Sequence, residues 1–568
     1  VQLIEIDVGK KTTTEEQVTS EKEEAFLGGR GITTRVLHDS AEPGADPFGP
    51  FSPLIFGTGP LTGTPFPMAG RYNATGKSPL TNTVFTCSCG GRLGVYMKRC
   101  GIDILSVKGI SGDPCYILIE EGSATVLPAG DLWGKEKRTV KETLRQRHGR
   151  DVSILIIGKA GEALVPYANI ENDGRFLGRG GLGAILGAKK VKAIVARRGK
   201  RKTVIADREQ FSFIAYECKK WLSANPITSR GLPQFGTGVL LNFMREVNLM
   251  KAQNFRIPAP FESSAVSGEE VTKTMLKRKR ACLFCPVACG RVTSTGDGPE
   301  YETLWALGVN LSIHDLEKVT KLNNLCNELG LDSISAGVTI GMAIELSEKG
   351  LLPLAAKYGD ADAVAALLED IAGRRGAGEA LSLGSRGLAR MCGDEDLAPQ
   401  VKGLELPAYD PEGAYGHALG YATSNRGGCH MQGYLIGAEV LGIPKLVDRF
   451  STEGKASLLA LYQNVSAFMD TLVMCRFSSN AIPHDYYARM ASAVLGRKIS
   501  WEDSITVGER IWNLERLFNI REGVEEDRLP QRFGKVPVKE LLREYYEIRG
   551  WDKSGFPSRE RLNLLGLL

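Results

Sequence analysis

The sequence predicts an α+β chain, with a β-rich N-terminal part followed by mainly helical domains. Three observations carry this. Short runs of alternating apolar and polar residues fill the first 200 positions. A basic run at residues 197–202 interrupts them, and apolar residues then recur at helical spacing.

Ile4, Ile6 and Val8 alternate with Glu5 and Asp7, the pattern of a half-buried strand. Tyr116-Ile117-Leu118-Ile119 and Ala124-Thr125-Val126-Leu127 flank Glu120-Glu121-Gly122-Ser123, which reads as a hairpin. Residues 152–157 and 191–196 are further strands. The basic run lacks interleaved aromatics, so it reads as a solvated linker rather than a nucleic-acid surface. Beyond it, Leu316, Val319, Leu322, Leu325, Cys326 and Leu329 share a helical face, with Ser312 and Asp315 as a capping pair and Gly330 as the stop. Helical segments are expected at residues 336–348 and 361–372. Residues 407–433 read as a long irregular segment, and helical patterns return from Leu446.

Composition narrows the function. The 568 residues exceed one ordinary domain and fit about two to four. A hydrophobic content of 43% with 24% charged residues is globular, which argues against disorder. A net charge of +5 lacks the bias of a nucleic-acid binder but suits an acidic protein partner. No apolar run is long enough for a membrane span, and the first residues show no secretory pattern. The 66 glycines, without an excess of proline, point to close backbone approaches at a large cofactor. A chain this long does not need its 12 cysteines for disulfides, so a cytoplasmic setting is expected, with structural, metal-binding or catalytic thiols.

The strongest local signal is Cys282-Leu283-Phe284-Cys285-Pro286-Val287-Ala288-Cys289. Its C-x2-C-x3-C spacing in a turn-prone stretch can direct three thiolates to one centre. A cubane iron–sulfur cluster takes a fourth ligand that can come from far away. Structural zinc usually adds a second close pair, and none is nearby, so the cluster is favoured over zinc or inert thiols. Cys87 and Cys89, beside a Gly-Gly turn, read as a packed loop.

Gly178-Arg179-Gly180-Gly181-Leu182-Gly183 matches G-x-G-x-x-G, but the last expected strand ends near Ile157 and no acidic residue follows before Asp207. A dinucleotide site is therefore rejected. The glycines, with Arg175 and Arg179, form either a phosphate cradle or a tight packing corner. Arg71 lies in another small-residue loop, where a surface arginine is the ordinary reading.

These segments, with residues 71–80, 90–94, 298–303, 327–335, 421–430 and 470–477, resemble in this order the tungsten-dependent aldehyde:ferredoxin oxidoreductase family. The resemblance implies a β-rich base domain at residues 1–203, a helical domain with three cluster cysteines at 204–405, and a second helical domain with the fourth at 406–568. It implies two pyranopterin dithiolenes sharing one tungsten (molybdenum is an alternative), a magnesium ion bridging their phosphates, and a 4Fe–4S cluster. Cys282, Cys285, Cys289 and Cys475 match the cluster ligands. Arg71 matches an arginine between pterin and cluster, and Ser88 and Phe176 match residues whose carbonyls face magnesium. Gly90, Gly91, Arg175, Gly178, Arg179, Gly180 and Gly181 match the phosphate-side stretches.

Asn327, Gly330, Leu331 and Asp332, and likewise Asp470 and Met474, match the two pterin motifs. The chain departs from the family in both. Asn327 replaces an aspartate, and Val473-Met474 replaces Gly-Leu. Asn can still hydrogen-bond a pterin edge but carries no charge.

Glu302, preferred over Glu300, and His430 match polar residues near the tungsten; alone, His430 would read as an ordinary loop histidine. His417 and Tyr421 are weaker pocket candidates. The implied reaction oxidises an aldehyde to a carboxylic acid and passes electrons through the cluster to ferredoxin or a small iron–sulfur subunit. The chief alternative is a catalytic subunit of a tungsten benzoyl-CoA reductase or a relative acting on another non-aldehyde substrate. Such reductases carry extra pocket histidines ahead of the cluster motif, whereas no histidine occurs here between His148 and His314. A third reading, a non-catalytic electron-transfer subunit, sits badly with two pterin motifs. A homo- or hetero-oligomer is allowed, but the E-x-x-H motif that joins some family dimers is missing, because His314 and Glu317 run in reverse order.

Overall fold

A computed structural model describes residues 1–524 and 526–568. Two six-stranded sheets form the N-terminal part. The first contains β1 (Gln2–Asp7), β2 (Thr12–Gln17), β3 (Leu54–Gly57), β4 (Tyr72–Lys77), β5 (Val84–Cys89) and β6 (Ile104–Lys108), in the order β2-β1-β6-β3-β4-β5. The second contains β7 (Cys115–Glu120), β8 (Ser123–Pro128), β9 (Val152–Ile157), β10 (Ile170–Asn172), β11 (Arg175–Leu177) and β12 (Val191–Arg197), in the order β11-β10-β9-β12-β7-β8.

Side-chain alternation explains the layering. Ile4 and Ile6 of β1 and Leu155 and Ile157 of β9 share one core between the sheets. Ile154 and Ile156 of β9 face the other way, onto Val140 and Leu144 of the helix Lys137–His148. The outer face of the first sheet carries Leu3, Ile55 and Ile104. These pack with Ile32 and Leu37 of the helix Gly29–Ser40 and with Phe468 and Phe518 of the C-terminal helices. A further core joins the helices between Leu240 and Thr423 to Trp512 and Tyr545.

The strand-to-helix change near residue 200 is where the sequence places it. The segment after β12 is anchored rather than free. Arg197 and Arg198 pair with Glu120 and Asp151, and the Arg201 amide donates to the Arg99 carbonyl. The expected hairpin is β7–β8, closed by Glu121 and a left-handed Gly122. Among the described residues no helix is long and apolar enough to cross a membrane.

Several expectations need correction. Asp315 alone caps Leu316–Leu329, accepting from the Lys318 amide, while Ser312 adopts a left-handed turn and accepts from Gln253. Residues 407–433 contain the buried helix Tyr415–Thr423, whose polar face is too small to show a period. A short helix follows at Ile436–Glu439, and the next long one begins at Lys455, not Leu446. Cys87 and Cys89 lie on β5 rather than in a loop. A strand, β11, does precede the 178–183 loop. It runs antiparallel to β10, which is antiparallel to β9, and β12 is also antiparallel to β9, so β11 and β12 are antiparallel and no parallel βαβ unit forms. The dinucleotide reading therefore fails on topology.

One ion pair ties the sheet layer to the C-terminal helices. The Arg30 guanidinium is fully buried, donates two bonds of 2.7 Å to Glu515 and reaches Asp470 at 3.2 Å. Replacing Arg30 with Met would strand a buried carboxylate, at a cost of about 3–5 kcal/mol. The expected result is a lowered thermal midpoint, partly restored by adding Glu515→Leu. An unchanged midpoint in Arg30→Met would show the pair to be dispensable.

Candidate functional site

Three cavities meet where the β-rich part abuts the helices. The first, of about 350 Å3, is lined by Cys282, Cys285, Cys289 and Cys475 at one end and by Asp332 and Asn327 at the other. The second, of about 410 Å3, is largely apolar. The third, of about 280 Å3, has a mixed lining that includes Ser88, Arg426, Asp470 and Met474. Arg71, Gly178 and Arg179 line both the first and the third. Glu302 lines the first and second, and His430 the second and third.

The fourth thiol is brought to the other three by backbone. Met68, in a left-handed turn, donates its amide to the Phe284 carbonyl at 3.0 Å, and its carbonyl accepts from the Cys475 amide at 3.1 Å. Gly70 leaves no room for a side chain, since a Cβ would lie 2.4 Å from the Leu283 carbonyl oxygen. Burial pushes the Cys285, Cys289 and Cys475 thiols up. Arg71 opposes this. It donates to the Ser88 hydroxyl at 2.9 Å and the Ser88 carbonyl at 2.7 Å. Burial works against its charge, but the thiols of Cys475, Cys282 and Cys89 hold its pKa above the ordinary value. Arg175 lies beside Cys282, Glu300 and Cys289, and is likewise raised against the effect of burial.

Among the described residues, no three His, Cys, Asp or Glu side chains converge to hold a single metal ion. The four thiols border a shared space, a donor set that a 4Fe–4S cluster would take. Burial disfavours bare thiolates there, whereas iron would displace the protons.

The loop before Leu182–Ala188 divides in two. A Cβ on Gly178 would meet open space, so this glycine exposes backbone to both cavities. Gly180 is closed off by Phe85, Gly181 by the Pro166 carbonyl and Gly91 by Asn172. These three glycines serve close packing. Gly330 is a left-handed helix terminus against Gly158. Gly90, Phe176, Asn327 and Leu331 line the first cavity. Asp332 has two tasks: it caps Ser333–Glu348 by accepting from the Ile334 amide, and it accepts from Arg179 at 2.8 Å.

Glu302 sits on the single helical turn Tyr301–Thr303, just before the wide turn Leu304–Gly308. The turn is held by the Tyr301 amide donating to Thr237 at 2.8 Å. One Glu302 oxygen accepts from the Ala408 amide at 2.9 Å. The other has no hydrogen-bond partner and lies 3.7 Å from His430 Nε2. Burial raises the Glu302 carboxyl to about 7. Burial also lowers His430 well below its ordinary value, so the ring is neutral, and its Nδ1 is unpartnered. Glu300 also lines the first and second cavities, but it is half-exposed, accepting from Thr237 at 2.6 Å and pairing with Arg175. His417 and Tyr421 stand behind Tyr409 and line none of the three cavities.

The sequence reading missed the walls. Tyr409, Tyr434, Phe243 and Leu240 form the apolar cavity, and nothing in their local spacing marks them. It also passed over Arg426, although the motif around it was visible. Its guanidinium donates to the Cys429 sulfur at 2.8 and 3.0 Å and to the Thr86 carbonyl at 2.5 Å.

Comparison with known proteins covers nearly the whole chain. Residues 3–198 match the family domain described as aldehyde ferredoxin oxidoreductase, N-terminal domain, and residues 214–567 match its domains 2 and 3. A tungsten-containing aldehyde ferredoxin oxidoreductase from Pyrococcus furiosus is 40% identical over 97% of this chain and 96% of its own length. One from Thermococcus kodakarensis gives the same figures. The WOR-like subunit of an aliphatic sulfonate oxidoreductase from Pyrococcus furiosus is 27% identical over all of this chain and 96% of its own. Among solved structures, the active-site complex BamBC of benzoyl coenzyme A reductase superposes with a TM-score of 0.88 at 24% identity, covering all of this chain and 96% of that one. That likeness shows the fold.

The setting of Glu302 can be measured directly. A protonated-carboxyl infrared band should disappear as pH rises through about 7 and be missing in Glu302→Gln. A difference spectrum with no such band would mean that the carboxyl titrates in the ordinary range.

Proposed function

The chain belongs to the aldehyde ferredoxin oxidoreductase family, and from that premise we propose that it oxidises apolar aldehydes to carboxylic acids at the junction of the three cavities. It is an oxidoreductase, and a tungsten pterin cofactor is the family's redox centre. The observation that carries the residue roles is the facing pair of Glu302 and His430, 3.7 Å apart, at the inner end of the apolar cavity.

The overall reaction is RCHO + H2O → RCOOH + 2H+ + 2e−. In this reading the first and third cavities would each take one pterin. Asp332 and Asn327 would hold the first, Asp470 and Met474 the second, and Gly178 with Arg175 and Arg179 would hold the phosphates. Ser88 and Phe176 would supply magnesium with oxygen ligands, the donor type that ion prefers. Cys282, Cys285, Cys289 and Cys475 would hold the 4Fe–4S cluster. When bound, the tungsten cofactor supplies the two-electron redox step.

The protein's own groups supply orientation and proton handling. The apolar cavity takes the hydrocarbon part of the aldehyde and excludes bulk water from it. His430 donates a hydrogen bond to the carbonyl oxygen as negative charge grows there. The unpartnered Glu302 oxygen takes a proton from the attacking water. Its raised pKa makes it a strong enough base while leaving it largely ionised above neutrality. Arg71, between the thiols and Ser88, provides a fixed positive charge that favours the reduced cluster. Electrons then leave singly for a ferredoxin or a small iron–sulfur subunit.

The test is an anaerobic assay of tungsten-loaded protein with an aldehyde panel and a viologen acceptor, with benzoyl-CoA as the rival substrate. Glu302→Gln and His430→Ala are each expected to lower turnover about 100- to 10,000-fold with unchanged tungsten and iron. Full activity in both variants would remove them from the mechanism. Wild-type turnover should fall as pH drops through about 7, because protonated Glu302 can no longer accept a proton. That inflection should be absent from the residual activity of Glu302→Gln. In Cys475→Ser the iron–sulfur absorption should be lost or converted to that of a smaller cluster; an intact wild-type spectrum would assign the fourth ligand elsewhere.

A further inference from the structure

We propose that the strand Leu276–Arg280, with the apolar crown of the loop that follows it, is the docking face for a small acidic one-electron carrier protein. The inference rests on the reading of Cys282, Cys285, Cys289 and Cys475 as cluster ligands.

The strand is the edge of a three-stranded sheet, followed by Gly290–Thr293 and Gly296–Asp297. Lys277, Arg278 and Lys279 are all exposed. Among the described residues none of the three forms an ion pair, whereas Arg280, at the inner end, is taken by Asp297 and by the Gly174 carbonyl. Three consecutive unneutralised cations thus end three residues before Cys282.

The loop adds an apolar centre. Ala281, Phe284 and Pro286 are exposed, while Val287 is buried beneath them. Phe284 is held in a left-handed conformation with its carbonyl turned inward to the Met68 amide, and 38% of its surface stays open. An open aromatic in the loop that carries the cluster ligands, preceded in the chain by three unpaired cations, has the anatomy of a transient interface. The charges speed encounter and orient the partner, and the apolar centre makes the contact.

Edge strands often carry lysines simply to prevent strand addition. Here the register slips between Leu276 and Arg278, which already spoils the edge as a template for a second copy. The charges therefore remain to be explained by a partner of opposite sign. Each encounter would move one electron from the reduced cluster to the oxidised carrier, so one aldehyde reduces two carriers.

The test uses tungsten-loaded holoenzyme at saturating aldehyde, with a purified, negatively charged ferredoxin or methyl viologen as acceptor. The triple variant Lys277→Glu, Arg278→Glu, Lys279→Glu should raise KM for the ferredoxin at least ten-fold at low salt and flatten its dependence on ionic strength. Its viologen turnover and iron content should stay at wild-type values. The milder triple change to Gln should give an intermediate shift, which guards against a misfolded first variant. Unchanged ferredoxin kinetics in both variants would overturn the docking face. So would a change in sedimentation showing that the strand joins two copies of this chain. A wild-type holoenzyme without an iron–sulfur signal would instead defeat the cluster reading on which the proposal stands.

Discussion

The site depends on one guanidinium. Arg179 leaves the glycine loop of the β-rich part and donates to Asp332 and Ser335 in the middle of the chain, to the Glu405 carbonyl, and to the Gly428 carbonyl beside His430. A planar donor with five N–H groups can satisfy such scattered acceptors at once, which an ammonium on a flexible stem does less well. Its partners come from every major section of the fold, so the cavities on either side of it exist only when all sections are assembled. The two tasks of Asp332 follow from this. The carboxylate that starts a buried helix also neutralises the cation that closes the site.

The environment around the chemistry is dry and sparsely neutralised. Glu302, His430 and His417 keep ring or carboxyl atoms without partners, although buried polar groups are usually paired. Such orphans cost stability, and a folded chain retains them where a bound molecule supplies the missing contact. His417 differs: both nitrogens are unpartnered and burial pushes the ring down to about 3, yet it lines none of the three cavities. By contrast, the buried Glu439 carboxylate receives Lys455 and the Gly416 and His417 amides, which makes it a structural group.

Much of the fold was legible because its signals are local. Alternation in β1 and β9 and the periodicity of Leu316–Leu329 follow from which side chains meet a core. The helix Tyr415–Thr423 was not legible, because it is enclosed on all sides and shows no period. The strand β11 was too short to register. Within the site, the three clustered cysteines were visible from spacing alone. Cys475 and Asp470 could be named only through the family resemblance, because the Met68 backbone link that explains the position of Cys475 joins segments hundreds of residues apart. The loop of residues 178–183 was left open between cradle and packing corner: Gly180 and Gly181 face neighbours and pack, while Gly178 alone faces open space.

The Arg30–Glu515 pair spans 485 residues. During synthesis the helix Gly29–Ser40 leaves the ribosome long before Glu515 has been made. Until then its guanidinium cannot be buried without a large desolvation cost, so the outer face of the first sheet has to stay wet. The layer that closes the back of the site is thus the last to dry.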